Sequence, residues 1–309
     1  LAAEQRRTVE MKVMINRKPV SGPWGGGNLF LKAFCRIFSE NGHEVVFKLE
    51  PDLDAIFIQD PRYGNTDVSV KEAHDYKVKN PHIKIFHRVN ECDARKNTTG
   101  MDDLLRSCSL ISTHTFFVSN WIKEYHLSRG WGCRSHSIAY NGVDTEHFKP
   151  RSKIDNGSIN IVTHHWSNNE MKGLDYYILL DELVGQDERF TFTYIGNCKA
   201  KFKNSRIIAP LSGHALGKEL SKYDVYVSGT RFDPGPNHII ESIACGIPTF
   251  VFAQGGGAVE FSGNRNSFND KQELLQLLSS DYSKITHDYK VASWEQQMAT
   301  VVRAMEVLV

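Results

Sequence analysis

The sequence predicts an α/β protein built from two doubly wound, mostly parallel sheets joined by a linker. Three observations predict it. Short apolar runs of strand length alternate with segments whose apolar residues recur at helical spacing, the pattern of parallel strands joined by crossover helices. The alternation stops at 141–150, where Asn141-Gly142-Val143-Asp144 has turn chemistry, and restarts at 158. In the second half, the loop Asp233-Pro234-Gly235-Pro236 separates a strand from a short helix that ends at Gly246 and Pro248. Open α/β sheets hold their ligands at such a carboxyl edge.

Residues 11–15 read as the first strand, and the loop after it ends in Gly25-Gly26-Gly27. A helix follows over 28–39, with Leu29, Phe30, Ala33, Phe34, Ile37 and Phe38 at helical spacing and a stop at Asn41-Gly42. Strands are expected at 44–47 and 55–59, and a polar helix over 68–79. Further strands are expected at 83–87 and around 109–118, then a helix over 120–129 closed by Gly130. Beyond the linker come a strand at 158–163, a helix over 173–184 and a strand at 190–195. A helix over 216–221 and a strand at 225–228 precede the helix carrying Glu241, and 249–253 is another strand. The segment 291–309 is an amphipathic helix, with Trp294, Met298, Val301, Val302, Met305 and Leu308 able to share one face.

At 309 residues and 40% hydrophobic, the chain is long enough for two cores. A formal net charge of +1 and the absence of any block of like charge argue against a nucleic-acid partner. Cys35, Cys92, Cys108, Cys133, Cys198 and Cys245 are scattered, with no C-x-x-C pair, which suits reduced thiols in the cytoplasm. No apolar run approaches the roughly 18 residues of a membrane span. Residues 1–10 are polar, lack the apolar core of a signal peptide, and read as a leader or cloning remnant ahead of Met11.

The 232–248 segment carries the chemistry. Its loop offers free backbone N–H groups and the positive end of a helix dipole, which suit phosphate. Asp233 and Glu241 bracket that anion site and suit the hydroxyls of a ribose or sugar. Together they describe a nucleotide-sugar pocket. The Gly25–Gly27 run would let a phosphate or sugar approach the backbone. It is not G-x-G-x-x-G, and no acid ends the second strand to take a ribose, so a nicotinamide oxidoreductase is a weaker reading. Lys172 opens a helix, where it is either a solvated residue or a counter-charge for a diphosphate. His87 is expected at the end of a strand, facing the crevice or simply capping the strand. Arg88 and Asp93 beyond it could form an ordinary ion pair. The neighbours His164 and His165 should point to opposite faces of a strand, so no metal is expected.

Glu241 with Ser242-Ile243-Ala244-Cys245-Gly246-Ile247-Pro248, and the linker Asn141-Gly142-Val143-Asp144 with Phe148-Lys149-Pro150, resemble retaining glycosyltransferases of the family 4 type. Their Glu-x7-Glu motif has Asp233 at its first acid here, one methylene shorter, and Ser167 stands where the family usually has an arginine. The resemblance implies the GT-B fold: Rossmann-like domains at 11–140 and 151–284, a linker at 141–150, and a terminal helix within 285–309 crossing back onto the first domain. It implies catalytic roles for His87, Lys172, Asp233 and Glu241. Donor contacts are implied for Gly26, Gly27, Ser167, Lys172, Gly235, Pro236, Asn237, His238, Ile239 and Glu241. Acceptor contacts are implied for Asn28, Arg88 and Asn90, and His164, His165 and Arg231 are candidates to replace the missing arginine. The co-substrate would be a nucleotide-diphosphate sugar, with no tightly bound cofactor and no metal required. A glycan or lipid-linked acceptor is implied, with peripheral membrane contact left open. Trp24, Phe116, Trp121 and Trp131 are candidates to stack on sugars, with packing into the core the alternative for most of them. A catalytically silent nucleotide- or sugar-binding protein on the same fold is the alternative.

Overall fold

Two six-stranded parallel sheets carry the chain. The structure is a computed structural model and describes residues 10–22 and 25–309. The leader expectation, apart from Glu10, and the stacking role for Trp24 lie outside the described residues.

The first sheet contains β1 (Lys12–Ile15), β2 (Glu44–Val46), β3 (Ala55–Ile58), β4 (Lys84–Val89), β5 (His114–Phe117) and β6 (His136–Ile138). Its order is β2-β1-β3-β4-β5-β6. The helices of this half are α1 (Gly26–Glu40), α2 (Val70–Lys79), α3 (Met101–Ile111) and α4 (Asn120–Leu127). The second sheet contains β7 (Ile159–His165), β8 (Phe190–Gly196), β9 (Arg206–Ile208), β10 (Val225–Ser228), β11 (Thr249–Phe252) and β12 (Ser267–Phe268). Its order is β12-β11-β10-β7-β8-β9. It is flanked by α5 (Leu174–Val184), α6 (Gly213–Leu220), α7 (Asn237–Ala244), α8 (Gly257–Ser262) and α9 (Lys271–Leu278). The chain ends in α10 (Trp294–Leu308). Every residue of β3, β5, β10 and β11 is buried, as expected for parallel strands covered on both faces.

Three expectations need correction. The segment 109–118 is not one strand: α3 runs through Ile111, buries Leu105, Cys108 and Ser109, and only His114–Phe117 is extended. Asp102 and Asp103 in the first turn of α3 favour its positive end, and the carboxylate of Asp93 accepts from the N–H groups of Met101 and Asp102. Asp93 is therefore a helix cap and not the partner of Arg88. The glycines 26 and 27 form the first turn of α1 rather than a loop before it. Finally, β4 extends through Val89, which puts His87 inside the strand instead of at its end.

The terminal helix returns to the first half. Trp294, Met298, Val301, Val302 and Met305 share one core cluster with Phe30, Phe34, Ile37 and Phe38 of α1. The linker runs beside the start of this helix, with Val143 N–H donating to Ala292 O at 3.1 Å. A Cβ on residue 142 would stand 2.5 Å from the Trp294 backbone, so only glycine permits that approach. Beside the linker, the halves also meet through polar contacts. Glu260 of α8 accepts from the N–H groups of Asn120 and Trp121, capping α4, and Ser119 Oγ donates to Pro234 O at 2.6 Å.

Met298 is 1% exposed at the centre of the α1–α10 contact. Met298→Ala is expected to cost about 3 kcal/mol in urea unfolding, from lost burial plus the cavity left behind. A change below about 1 kcal/mol would mean that α10 contributes little to this core.

Candidate active site

The carboxyl ends of β1, β4, β7, β8 and β10 lead into one cleft of about 600 Å³. Lys172 reaches it from a single 3₁₀ turn, Glu170–Lys172, after β7. Asn169 Oδ1 starts that turn by accepting from Met171 N–H at 2.9 Å. Gly173 ends it at φ +83°, where a Cβ would come 2.2 Å from Gly229 O. Glycine thus lets the turn rest on the end of β10 and sets the height of Lys172 in the cleft.

Asp233 meets Lys172 there, with Lys172 Nζ 2.7 Å from Asp233 Oδ2 and the side chains 16% and 5% exposed. Phe232 just before it has φ +50°, a left-handed conformation unusual for an aromatic residue. The strain is held by backbone bonds: Phe232 N–H to Gln254 O, Asp233 N–H to Gly255 O, and Gly257 N–H to Asp233 O. Arg95, from the loop after β4, brings its Nε to 3.9 Å from Asp233 Oδ1 while pairing with Glu91 at 2.9 Å. Burial alone would raise the Asp233 carboxyl. The Lys172 and Arg95 cations and the Gly235 N–H outweigh it and hold the group at about 2.

Helix α7 follows Pro236, with no side-chain cap and no acid in its first turn. Ile239 N–H closes a turn onto Pro236 O, leaving the N–H groups ahead of it at the cleft edge. Glu241, one turn on, lies with its Oε2 2.8 Å from His164 Nε2. A carboxylate only accepts, so that nitrogen carries the proton, and His164 Nδ1 is left buried without a partner. His165 turns to the Tyr177 hydroxyl and Thr163, and His238 to Ser228 and Thr230. Both lie well below the usual histidine range, first through burial and then through nearby groups including Lys172.

The cleft brings together most residues expected from the sequence: Gly26, Gly27, Arg88, Asn90, Ser167, Lys172, Asp233, Gly235, Pro236, Asn237, His238 and Glu241. It does not include four. His87 is fully buried and bonds Ser109 Oγ at 3.0 Å beneath the sheet, because the extended β4 turns it away from the crevice. The Asn28 amide is taken up by the Val20 backbone, closing the loop before α1. Ile239 is fully buried in an apolar cluster with Ile240 and Ile243. Arg231 pairs with Asp175 at 2.6 Å and lies over Phe252, so it does not replace the missing arginine. Arg95, Asn141 and the Glu241 partnership of His164 escaped the sequence reading. The i,i+4 spacing of Glu91 and Arg95 was the one available signal.

The backbone superposes on HepE from Anabaena, solved with UDP and glucose, with a TM-score of 0.64. That match covers 97% of this chain and 98% of HepE at 14% identity. A sucrose-phosphate synthase from Thermosynechococcus elongatus matches at a TM-score of 0.65, covering 97% and 96% at 11% identity. The chain has the GT-B fold. A glycosyltransferase from Rickettsia africae matches this GT-B chain at 0.60, over 96% and 93% at 12% identity. No protein-family profile and no curated protein matches the sequence. Among the described residues, no group of three or more His, Cys, Asp or Glu side chains is arranged to hold a metal ion.

The site predicts acid sensitivity. Asp233 titrates near 3.8 unfolded and about 2 folded, so its contribution is present above pH 4 and is lost as pH falls toward 2. The buried neutral His165 and His238 act in the same direction, because the unfolded chain takes up protons from about pH 6.5 downward. Asp233→Asn should remove about 2 kcal/mol at neutral pH and flatten stability between pH 4 and 2. Urea unfolding from pH 2 to 7 checks this; identical pH slopes in variant and parent would refute it.

Proposed function

We propose that this chain is a retaining glycosyltransferase of the family 4 type that takes its sugar from a nucleoside-diphosphate donor. The observation that carries the reading is the grouping of Lys172, Arg95 and the uncapped start of α7 in one GT-B cleft, with Glu241 one turn along the same helix. Cations and helix N–H groups suit a diphosphate, and a half-buried carboxylate suits a sugar or ribose hydroxyl. Solved structures of similar fold hold UDP and UDP-glucose, which makes a UDP-sugar the donor to test first.

In this mechanism the bond from the anomeric carbon to the β-phosphate oxygen breaks as the acceptor oxygen attacks from the same face. The departing phosphate takes the acceptor proton, so no protein carboxylate acts as nucleophile. Lys172, Arg95 and the α7 N–H groups stabilise the charge growing on the leaving diphosphate. Asp233 fixes Lys172, and His164 fixes Glu241 against a donor hydroxyl. A glycan or lipid-linked hydroxyl is the acceptor in this reading. None of the described helices is long and apolar enough to cross a membrane. The reading places the work in the cytoplasm, with peripheral membrane contact for a lipid-linked acceptor.

UDP should raise the unfolding temperature in a thermal-shift screen against UDP, GDP, ADP and TDP. Release of UDP from UDP-glucose should fall about 10²–10³-fold in Lys172→Met, chiefly in kcat, and comparably in Glu241→Ala, with circular dichroism unchanged. Binding without turnover would favour a silent binding protein. The absence of binding by every nucleotide would sink the donor pocket itself.

A further inference from the structure

Arg88 is 1% exposed yet lines the cleft. Its Nη2 donates to Asn141 Oδ1 at 2.6 Å, its Nη1 stands 3.5 Å from Gln59 Oε1, and its guanidinium lies 4.0 Å over the Phe30 ring. Its Nε–H has no partner, and among the described residues no carboxylate comes within ion-pair distance. Burial lowers the group to about 9, which leaves it charged at neutral pH. Of the other cations on this side of the cleft, Arg36 is matched by Glu40 and Glu295 and Arg95 by Glu91, while Lys32 is exposed to solvent, so Arg88 is the buried one without a counter-charge among the described residues. Among the described residues no acid from the first half lines the cleft; Asp144 of the linker does, and it pairs with His147 rather than with Arg88. Two amides and an aromatic face do not neutralise a buried charge, so Arg88 is an expensive residue to keep without a purpose beyond packing.

Its surroundings have the same polarity. Asn141 also donates to Asn237 Oδ1 at 2.6 Å, while Asn237 Nδ2 is buried with no acceptor. A Cβ on Gly26 would stand 3.0 Å from that nitrogen, so the start of α1 meets Asn237 directly. Helix α1 has no side-chain cap and no acid in its first turn. An unmatched cation, an idle amide donor and an uncapped helix start therefore converge, and each of them calls for a negative oxygen.

We infer that Arg88, Asn237 and the first turn of α1 form an oxyanion subsite on the first-half side of the cleft that takes a phosphate group of a substrate. The inference rests on the transferase reading only for the source of that phosphate. One source is an acceptor that is itself phosphorylated. The other is the donor diphosphate, reaching across from Lys172.

Orthophosphate, titrated by calorimetry into the full chain with and without saturating UDP, tests the inference. Wild type is expected to bind phosphate and to unfold at a higher temperature with it. Arg88→Gln should bind phosphate at least tenfold more weakly, with Arg88→Lys intermediate. Without phosphate, Arg88→Gln should unfold no lower than wild type, since it removes an unmatched buried charge. Phosphate and UDP bound together support a phosphorylated acceptor, and competition between them supports the donor diphosphate. Unchanged phosphate affinity in Arg88→Gln with a lowered unfolding temperature would make Arg88 a structural strut and overturn the inference. So would failure of wild type to bind phosphate in either state. If Arg88→Gln does not fold, Arg88→Lys decides alone, because unchanged affinity there also overturns it. Failure of UDP to bind would sink the transferase reading while leaving the phosphate result standing.

Discussion

The cleft depends on one carboxylate. Asp233 is pinned through its backbone to residues 255 and 257, and through its side chain to Lys172, with Arg95 close by. Those partners come from the loops after β11, β7 and β4, so three separate connections converge on a single acidic group. The pair is buried, and a buried ion pair is weak evidence for stability but good evidence for fixed geometry. Here the fixed quantity is the position of a lysine ammonium next to the start of α7. The left-handed Phe232 fits this view, because a strained residue persists only where its neighbours hold it in place.

Glycines set the distances at which these pieces meet. Gly173 lets the Lys172 turn touch β10, and Gly142 lets the linker touch α10. In both cases the space for a side chain is filled by another segment's backbone. The apolar cores are conventional by comparison. They stack covered parallel strands against helices and leave the polar chemistry to the loops at one edge.

Much of the fold was legible in the sequence, and the reasons are local. The face of α10 shows clear periodicity, the apolar run at Val225–Ser228 marks a strand covered on both faces, and the turn residues at 141–150 mark the crossing between sheets. Helix α3 was obscured because serines interrupt its apolar face, and its continuation toward β5 reads equally well as extended chain. The short β6, β9 and β12 have too few residues to show a period. At the site, the loop and helix at 232–248 pointed to Asp233 and Glu241, and the family resemblance pointed to Lys172. Neither could reveal that Asp233 faces lysine, that Glu241 faces His164, or that His87 turns inward. Those facts follow from strand length and from contacts between residues far apart in sequence. Arg95 was invisible for the same reason, since its meeting with Asp233 spans the two halves of the chain.

The chain passes between its halves twice, and the two passages lie side by side, with Val143 bonded to Ala292 and Gly142 against Trp294. Paired crossings on one side of a molecule act as a door hinge: they permit rotation about their own line and resist sliding and twisting. Close to those crossings the halves are also held by the Glu260 cap on α4, which takes the Tyr140 hydroxyl as well, and by the Ser119 bond to Pro234, a latch of hydrogen bonds rather than a sealed apolar seam. Water can replace each of those bonds as the door swings, so opening exposes little oily surface. The same protein can thus keep a rigid pocket when shut and part its halves there without uncovering either apolar core.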